Sequence, residues 1–534
     1  MPDRPPDTDE DRRYLNSLGY AQELQRGLGT FSNFAISFSI ISILSGGFTA
    51  FYVGAIYGGP LAISIGWVVV GGFVLCVGMA LGEICSAYPT AGGLYYWSAR
   101  LATRNAARWA WFTGWFNFFG QIGVIASVDF ALANYVVAFV NLFSGARGPL
   151  VRPTPLTVFV VFLAILGVHG LLNVFGVRIV KLLGDVSVWW HVLGVGVIFG
   201  VLFLGPHQRQ PLSYLFRFEN NSAWHGRFST IYVLMLGLLL AQYTITGFDA
   251  SAHVSEETVD ARTAAPRAIV RSIYVSVLAG LLLCWGFLLA VRNGPGGHDS
   301  LGAIANSNFI TAPVAIIVRS GLDPVLVKLL VLITVVGQFF CGSAAVTANS
   351  RMVYAFSRDG GLPASRLWHR INPRTRTPTN AVWFGIAIAA CAGSLSLVQH
   401  DGYAVAFFAL TGIATIGLFV SYMIPIALRL RSPHFEPGPF SLGRWSRPVG
   451  WISVAWVAFV SVLFVCPLDP RWRWWLPDEI NTANFTGPVL VAGTVAIGLW
   501  WCLSARRWFT GPKVQGTPEE LRAIEDELDR LADR

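Results

Sequence analysis

Twelve runs of roughly 20 apolar residues, separated by short segments where Gly, Pro and charge collect, leave this chain few folds to choose from. They fall at about 31–54, 58–83, 109–143, 155–173, 178–204 and 229–252 in the first half. In the second they fall at 268–291, 325–356, 379–399, 402–428, 449–467 and 488–504. Inside a bilayer each backbone polar group must find a partner within the protein, so runs of this length are helices. The expectation is an all-α integral membrane protein with about twelve transmembrane helices. Composition agrees, with 54% of residues hydrophobic and only 13% charged.

Charge placement orients the chain. If the N-terminus is cytoplasmic, 28 of the 38 Lys and Arg lie in cytoplasmic segments, which by the positive-inside rule puts both termini inside. The densest inner segment carries Arg351, Arg358, Arg366, Arg370, Arg374 and Arg376 against one acid, Asp359. A net charge of +9 does not signal nucleic acid here, because the cations sit between apolar runs rather than on one soluble face. Residues 1–30 are polar and lack the short apolar core of a secretory leader, so the first run is expected to be a retained span. From Thr517 a Thr, a Pro and two acids open a segment in which Leu521, Ile524, Leu528 and Leu531 recur at helical spacing. A short amphipathic helix is expected there, with a solubilising tail as the plainer reading.

Two runs are interrupted at their middles. Run 1 places Ser45, Gly46 and Gly47 near the bilayer centre, and run 6 places Thr244, Thr246, Gly247 and Asp249 there. Unwound backbone is tolerated in lipid only where it lines a cavity or is buried in protein, although paired glycines also serve close helix packing. Runs 1 and 6 open two possible five-span halves. Interruptions at corresponding positions point to a transporter's midplane site.

Four blocks then carry a resemblance: LSGGF in run 1, GEICSAYPTAGGLYYWSARLA from Gly82, TGFDASAHVSEETVDARTAAPRAI from Thr246, and TANSRMVYAFSRDGGLPAS from Thr347. In order and spacing they resemble the amino acid, polyamine and organocation permeases, most closely the amino acid and choline branch that includes GABA permeases. The resemblance runs from about Leu18 to Trp508. It implies a leucine-transporter-like fold: a cytoplasmic segment (1–30), a first five-helix repeat (31–204), a second, inverted one (205–428), two peripheral helices (429–508) and a cytoplasmic tail (509–534). It also implies a plasma-membrane location and an amino acid bound against the unwound backbone.

On that reading Ser45, Gly46 and Gly47 donate to the substrate carboxylate, because a half-helix N-terminus presents free N–H groups and partial positive charge. Backbone at Tyr243, Thr244 and Ile245 accepts from the ammonium. Tyr243 matches a family position where an aromatic closes over substrate, with Phe248 after the Gly247 turn, and Asn117 and Gln338 offer further polar contacts. His191 falls where several relatives carry a lysine in place of a sodium ion. Imidazole titrates near 6.5 when unperturbed, so His191 is a candidate proton carrier, with a neutral, hydrogen-bonded histidine as the plain alternative. Asp249 and Asp129 are ion-coupling candidates because buried carboxylates need partners; capping the second half of run 6 is the plainer role for Asp249. His169 and His253 are assigned structural roles. Glu83, Asp359, Glu256 and Glu257 are placed to pair with Arg26 or the inner arginines as a gate.

Other chemistry is missing. There is no Walker phosphate loop, zinc spacing or GxSxG elbow, so no cofactor and no metal are expected, and the chain does not read as an enzyme. The sequon at Asn484 is a pattern in an outer loop. The expected function is a secondary-active amino acid permease importing amino acids, GABA among them, by alternating access and proton symport. Its partners are the small-molecule amino acid, the proton and membrane lipid; nothing in the residues addresses oligomeric state. The alternatives are a choline or polyamine permease and a membrane nutrient sensor that passes no flux.

Overall fold

A computed structural model describes residues 6–532 apart from 145–147, 207, 227, 293–299, 398–404, 434 and 472–483; the start of the tenth expected run lies outside the described residues. Among the described residues the regular structure is helical except for one short antiparallel pairing of Tyr57–Gly58 with Glu219–Asn220 and two isolated bridges. Twelve helices among the described residues are long and apolar enough to cross a membrane. This is the architecture of a twelve-span, all-α membrane protein.

The membership of the twelve differs from the sequence expectation in one place. Run 6 is too broken to count as one long helix and supplies the apolar helix Ser229–Thr244, while Leu301–Arg319, read as an outer loop, qualifies. That segment is two helices, Leu301–Asn308 and Ala312–Arg319, bent at Phe309 with φ +40°. The first packs on Phe51–Ile56, the far end of span 1. We therefore keep 229–253 as span 6 and treat 301–319 as a helical cap over span 1.

Helix packing repeats with an offset of five. Span 2 (Gly59–Ala87) lies against span 7 (Ala261–Ala290), and span 3 (Ala106–Asn141) against span 8 (Pro324–Arg358). Span 3 also packs on span 10 (Val405–Arg431), as span 8 packs on span 5 (Val177–Leu204). Small residues make these approaches possible. A Cβ on Gly120 would lie 2.6 Å from the Leu418 nitrogen, so spans 3 and 10 touch backbone to backbone there.

The first and last described helices, Pro6–Ser17 and Pro518–Ala532, meet on one face. The tail helix Pro518–Ala532 begins with a capping box: Thr517 N–H donates to Glu520, and Glu520 N–H to Thr517 Oγ1. It is more than a solubilising tail. Leu521 is buried, and buried Glu525 accepts from Asn16 Nδ2 at 2.9 Å and from the Gln22 N–H at 2.8 Å. Removing an acceptor shared by two donors costs about 1.5–3 kcal/mol when it is charged, enough to raise the undocked population roughly tenfold or more. Glu525→Ala is therefore expected to speed limited proteolysis within residues 511–520 by at least that factor, and an unchanged cleavage rate would contradict the docking.

Candidate functional site

Span 1 stops at Ile41 and restarts at Gly46–Thr49. Ser42, at φ +27°, turns the chain out of the helix, and its carbonyl accepts from the N–H groups of both Ser45 and Gly46. Two of the three expected carboxylate donors are thus occupied by their own turn in this conformation. The Gly47 N–H makes no backbone hydrogen bond among the described residues, and Ser45 Oγ is buried without a partner. Span 6 stops at Thr244 and restarts at Ala250–His253, with Gly247 at φ +90° in between, a conformation that suits glycine. No donor among the described residues reaches the carbonyl oxygens of Tyr243, Thr244 or Ile245.

The two breaks meet. A Cβ on Gly46 would lie 2.8 Å from Thr244 Cα and 2.9 Å from its Oγ1. Ser45, Gly46, Tyr243 and Thr244 line one small cavity with Thr246, and Val124, Val128, Cys341 and Ala414 close it with apolar surface and one thiol. Tyr243 is anchored by its hydroxyl, which donates to Ser127 Oγ at 3.2 Å. A second small cavity shares Ile40 and Val124 with the first and is lined by Gln121, Gly247 and Asp249. The cavity lining thus pairs the unpartnered Ser45 hydroxyl on span 1 with Tyr243 and Thr244 of span 6, whose carbonyls are free, while Gly47 and Ile245 lie outside it.

Other predicted residues sit further off. Phe248 packs on Phe419 and Tyr422, and Gln338 is buried with both amide atoms unpartnered, outside the cavity lining. Asp129 pairs with His169 Nδ1 at 3.0 Å, joining spans 3 and 4. His191 reaches the span 1 break from behind: its Nε2 is 2.7 Å from Ser42 Oγ and its Nδ1 is 2.8 Å from the Ser187 carbonyl. A carbonyl only accepts, so Nδ1 carries hydrogen, while Nε2 bonds the Ser42 hydroxyl, which can donate or accept. In this conformation His191 holds the turn of span 1.

Asp249 does not cap the second half of span 6, and that expectation is corrected. Its carboxylate accepts from Tyr422 at 2.6 Å and Asn117 Nδ2 at 3.1 Å, and it faces His253 Nε2 at 3.2 Å. The N–H groups a cap would serve are already taken, that of Ala250 by the Gly247 carbonyl, Ser251 by Ser37 Oγ and Ala252 by the Asp249 carbonyl, while a buried carboxylate needs neighbours from other spans. Sequence reasoning placed Thr246 at the break without giving it a role, and missed Cys341, Tyr422 and the pairing of His253. Only the last had a sequence signal, because Asp249 and His253 stand at i,i+4.

Ion pairs close the face that carries the termini. Arg351 grips Glu257 with two bonds of 2.7 and 3.2 Å, and Arg358 holds Glu256 at 3.2 Å, all four side chains buried. Glu83 pairs instead with Arg429, and Arg26 with Asp11. Asp359 takes no arginine; it accepts from the hydroxyls of Tyr95 at 2.7 Å and Tyr20 at 3.1 Å. Here the motif blocks converge. The Ala91 N–H of the second block donates to Glu256 of the third, which the fourth block's Arg358 clamps.

Proteins of known family share this arrangement in sequence. The family model for amino acid permeases matches residues 28–496. Amino-acid permease BAT1 of Arabidopsis thaliana is 44% identical over 93% of the chain and 95% of its own length. Its rice homolog is 40% identical over 93% of the chain and 94% of its own length. A putative polyamine transporter of Candida albicans is 28% identical over 98% of the chain and 93% of its own length. The chain belongs to the amino acid permease family.

Proposed function

We propose that this protein imports amino acids across the plasma membrane by alternating access, driven by protons, with both termini in the cytoplasm. The carrying observation is the apposition of the two breaks at Gly46 and Thr244, with free donors on one side and free carbonyls on the other. A substrate carboxylate meets the Gly47 N–H and Ser45 Oγ, and its ammonium meets the carbonyls of Tyr243, Thr244 and Ile245. The arginine-rich terminal face supports the orientation.

The Candida relative's name favours polyamines as a second reading. A polyamine has no carboxylate for the span 1 donors, and choline would need an aromatic cage around its quaternary nitrogen. A competition panel against one labelled amino acid separates these readings. Zwitterionic amino acids, GABA included, are expected to compete strongly and choline and spermidine weakly; choline or spermidine as the sole effective competitor would overturn the assignment. The imidazole of His191, fixed on Ser42 where relatives of this type hold sodium or lysine, supports sodium-independent uptake. Replacing sodium by potassium should leave the rate unchanged, whereas uptake should rise as the outside pH falls from 8 to 6.

A further inference from the structure

We infer that the proton resides between Asp249, an ion-coupling candidate from the sequence, and His253, given a structural role above, both in span 6, and that its departure unlocks the terminal face. This deepens the proton-driven reading and rests on it. The argument is one of counting hydrogens. His253 Nδ1 lies 2.9 Å from the Ala91 carbonyl, which only accepts, so Nδ1 carries hydrogen. His253 Nε2 lies 3.2 Å from Asp249 Oδ2. With a neutral imidazole and an ionised carboxylate, two lone pairs would face each other there, between two buried side chains. One more proton must lie between them.

No other buried histidine in a described span requires it. His191 Nε2 has a hydroxyl that can donate, and His169 in its neutral form donates from Nδ1 to Asp129. Tyr422 donates to Asp249 Oδ1 and Asn117 to Oδ2, so this carboxylate serves as an acceptor throughout and the extra hydrogen is placed on His253 Nε2, donating to Oδ2. The other groups around the pair are spoken for. Span 1 presents Asn33, Ser37 and Ser251's partner hydroxyls rather than charge, Glu256 and Glu257 are held by Arg358 and Arg351, and Asp359 is held by Tyr20 and Tyr95.

The location gives the proton leverage. Ala91 holds His253 by its carbonyl and Glu256 by its N–H, and Glu256 is clamped by Arg358. When the Nε2–H leaves as a proton to water, the pair passes from net charge zero to minus one. Asp249 then faces a lone pair and becomes an uncompensated buried charge, which disfavours the closed arrangement. A proton bound equally in both access states would shift nothing; here the closed state binds it and the opened state, with the pair apart and wetted, releases it.

The test uses the full chain. In liposomes under an imposed inward proton gradient, His253→Gln should lose accumulation, with the inside-to-outside ratio falling to about one, and lose the pH dependence of uptake, while substrate counterflow without a gradient stays within about threefold of wild type. His253→Gln with the wild-type pH profile and accumulation overturns the proposal, as does loss of counterflow together with accumulation. A second measurement stands apart from transport: nitrogen NMR of labelled histidine, with the His253 signal identified by its absence in His253→Gln. Hydrogen on both ring nitrogens at pH 7.5 is expected, collapsing to one in Asp249→Asn. A singly protonated His253 between pH 6 and 8 overturns the site even where wild-type uptake is proton-driven; a doubly protonated His253 in a protein whose uptake ignores protons upholds the site and refutes only the driving force.

Discussion

Replacing Gly46 with Leu is expected to abolish substrate binding and uptake while the protein still inserts and runs as a monodisperse species. A Cβ at this position meets Thr244 backbone at 2.8 Å, so even Ala must push the two broken spans apart, and Leu adds three more carbons. Overpacking of this kind costs about 1–3 kcal/mol, and at the upper end that is roughly a 100-fold loss of affinity when it falls on the binding surfaces themselves. Gly47→Ala is the control, since a Cβ there meets only Leu283 and Trp67 at ordinary contact distance, and it should keep most of its uptake. Uptake affinity unchanged in Gly46→Leu would remove the site from the span 1 and span 6 apposition.

The second large effect concerns the closed face. Arg351→Gln leaves Glu257 buried without its bidentate partner, and breaking a buried pair this way destabilises by about 3–5 kcal/mol. The expected result is a marked drop in the Tm of the detergent-solubilised protein. Replacing both partners, as Arg351→Met with Glu257→Met, removes the stranded charge and should recover much of that loss, because apolar residues of similar volume substitute well for a buried pair. The backbone carbonyl of Glu257, which accepts from Gly27 and Leu28, is untouched by either change. A single variant as stable as wild type would mean the pair is solvated and does not seal this face.

Much of the fold was legible because lipid imposes simple rules. Span length, the breaks at Gly46 and Gly247, and the capping box at Thr517 are local signals of composition and backbone freedom. The cap at 301–319 was not legible, since a mean hydropathy of 1.6 is interrupted by Asn306, Ser307 and Asn308, a pattern that suits either a loop or a bent helix. Asn484 is a second case. The sequence puts its sequon in an outer loop; in the structure its side chain is buried and donates to the carbonyls of Phe464 and Cys466 at the end of the helix Ser446–Val465.

The site divides in the same way. Ser45, Gly46, Tyr243 and Thr244 were found because unwinding leaves a mark in sequence. Partnerships between spans leave none: Asp249 meets Tyr422 across 173 residues, and His191 meets Ser42 across 149. The readings of Asp249 and His191 therefore changed once their neighbours were known, both residues having been singled out because polarity inside the membrane needs a reason.

Flux through the purified chain tests the central claim most directly. Liposomes containing only this protein should take up a labelled zwitterionic amino acid saturably, with unlabelled amino acid inside accelerating entry as an alternating-access carrier requires. Tight binding to the same preparation with no entry above protein-free liposomes would contradict the account and identify a membrane receptor for amino acids instead.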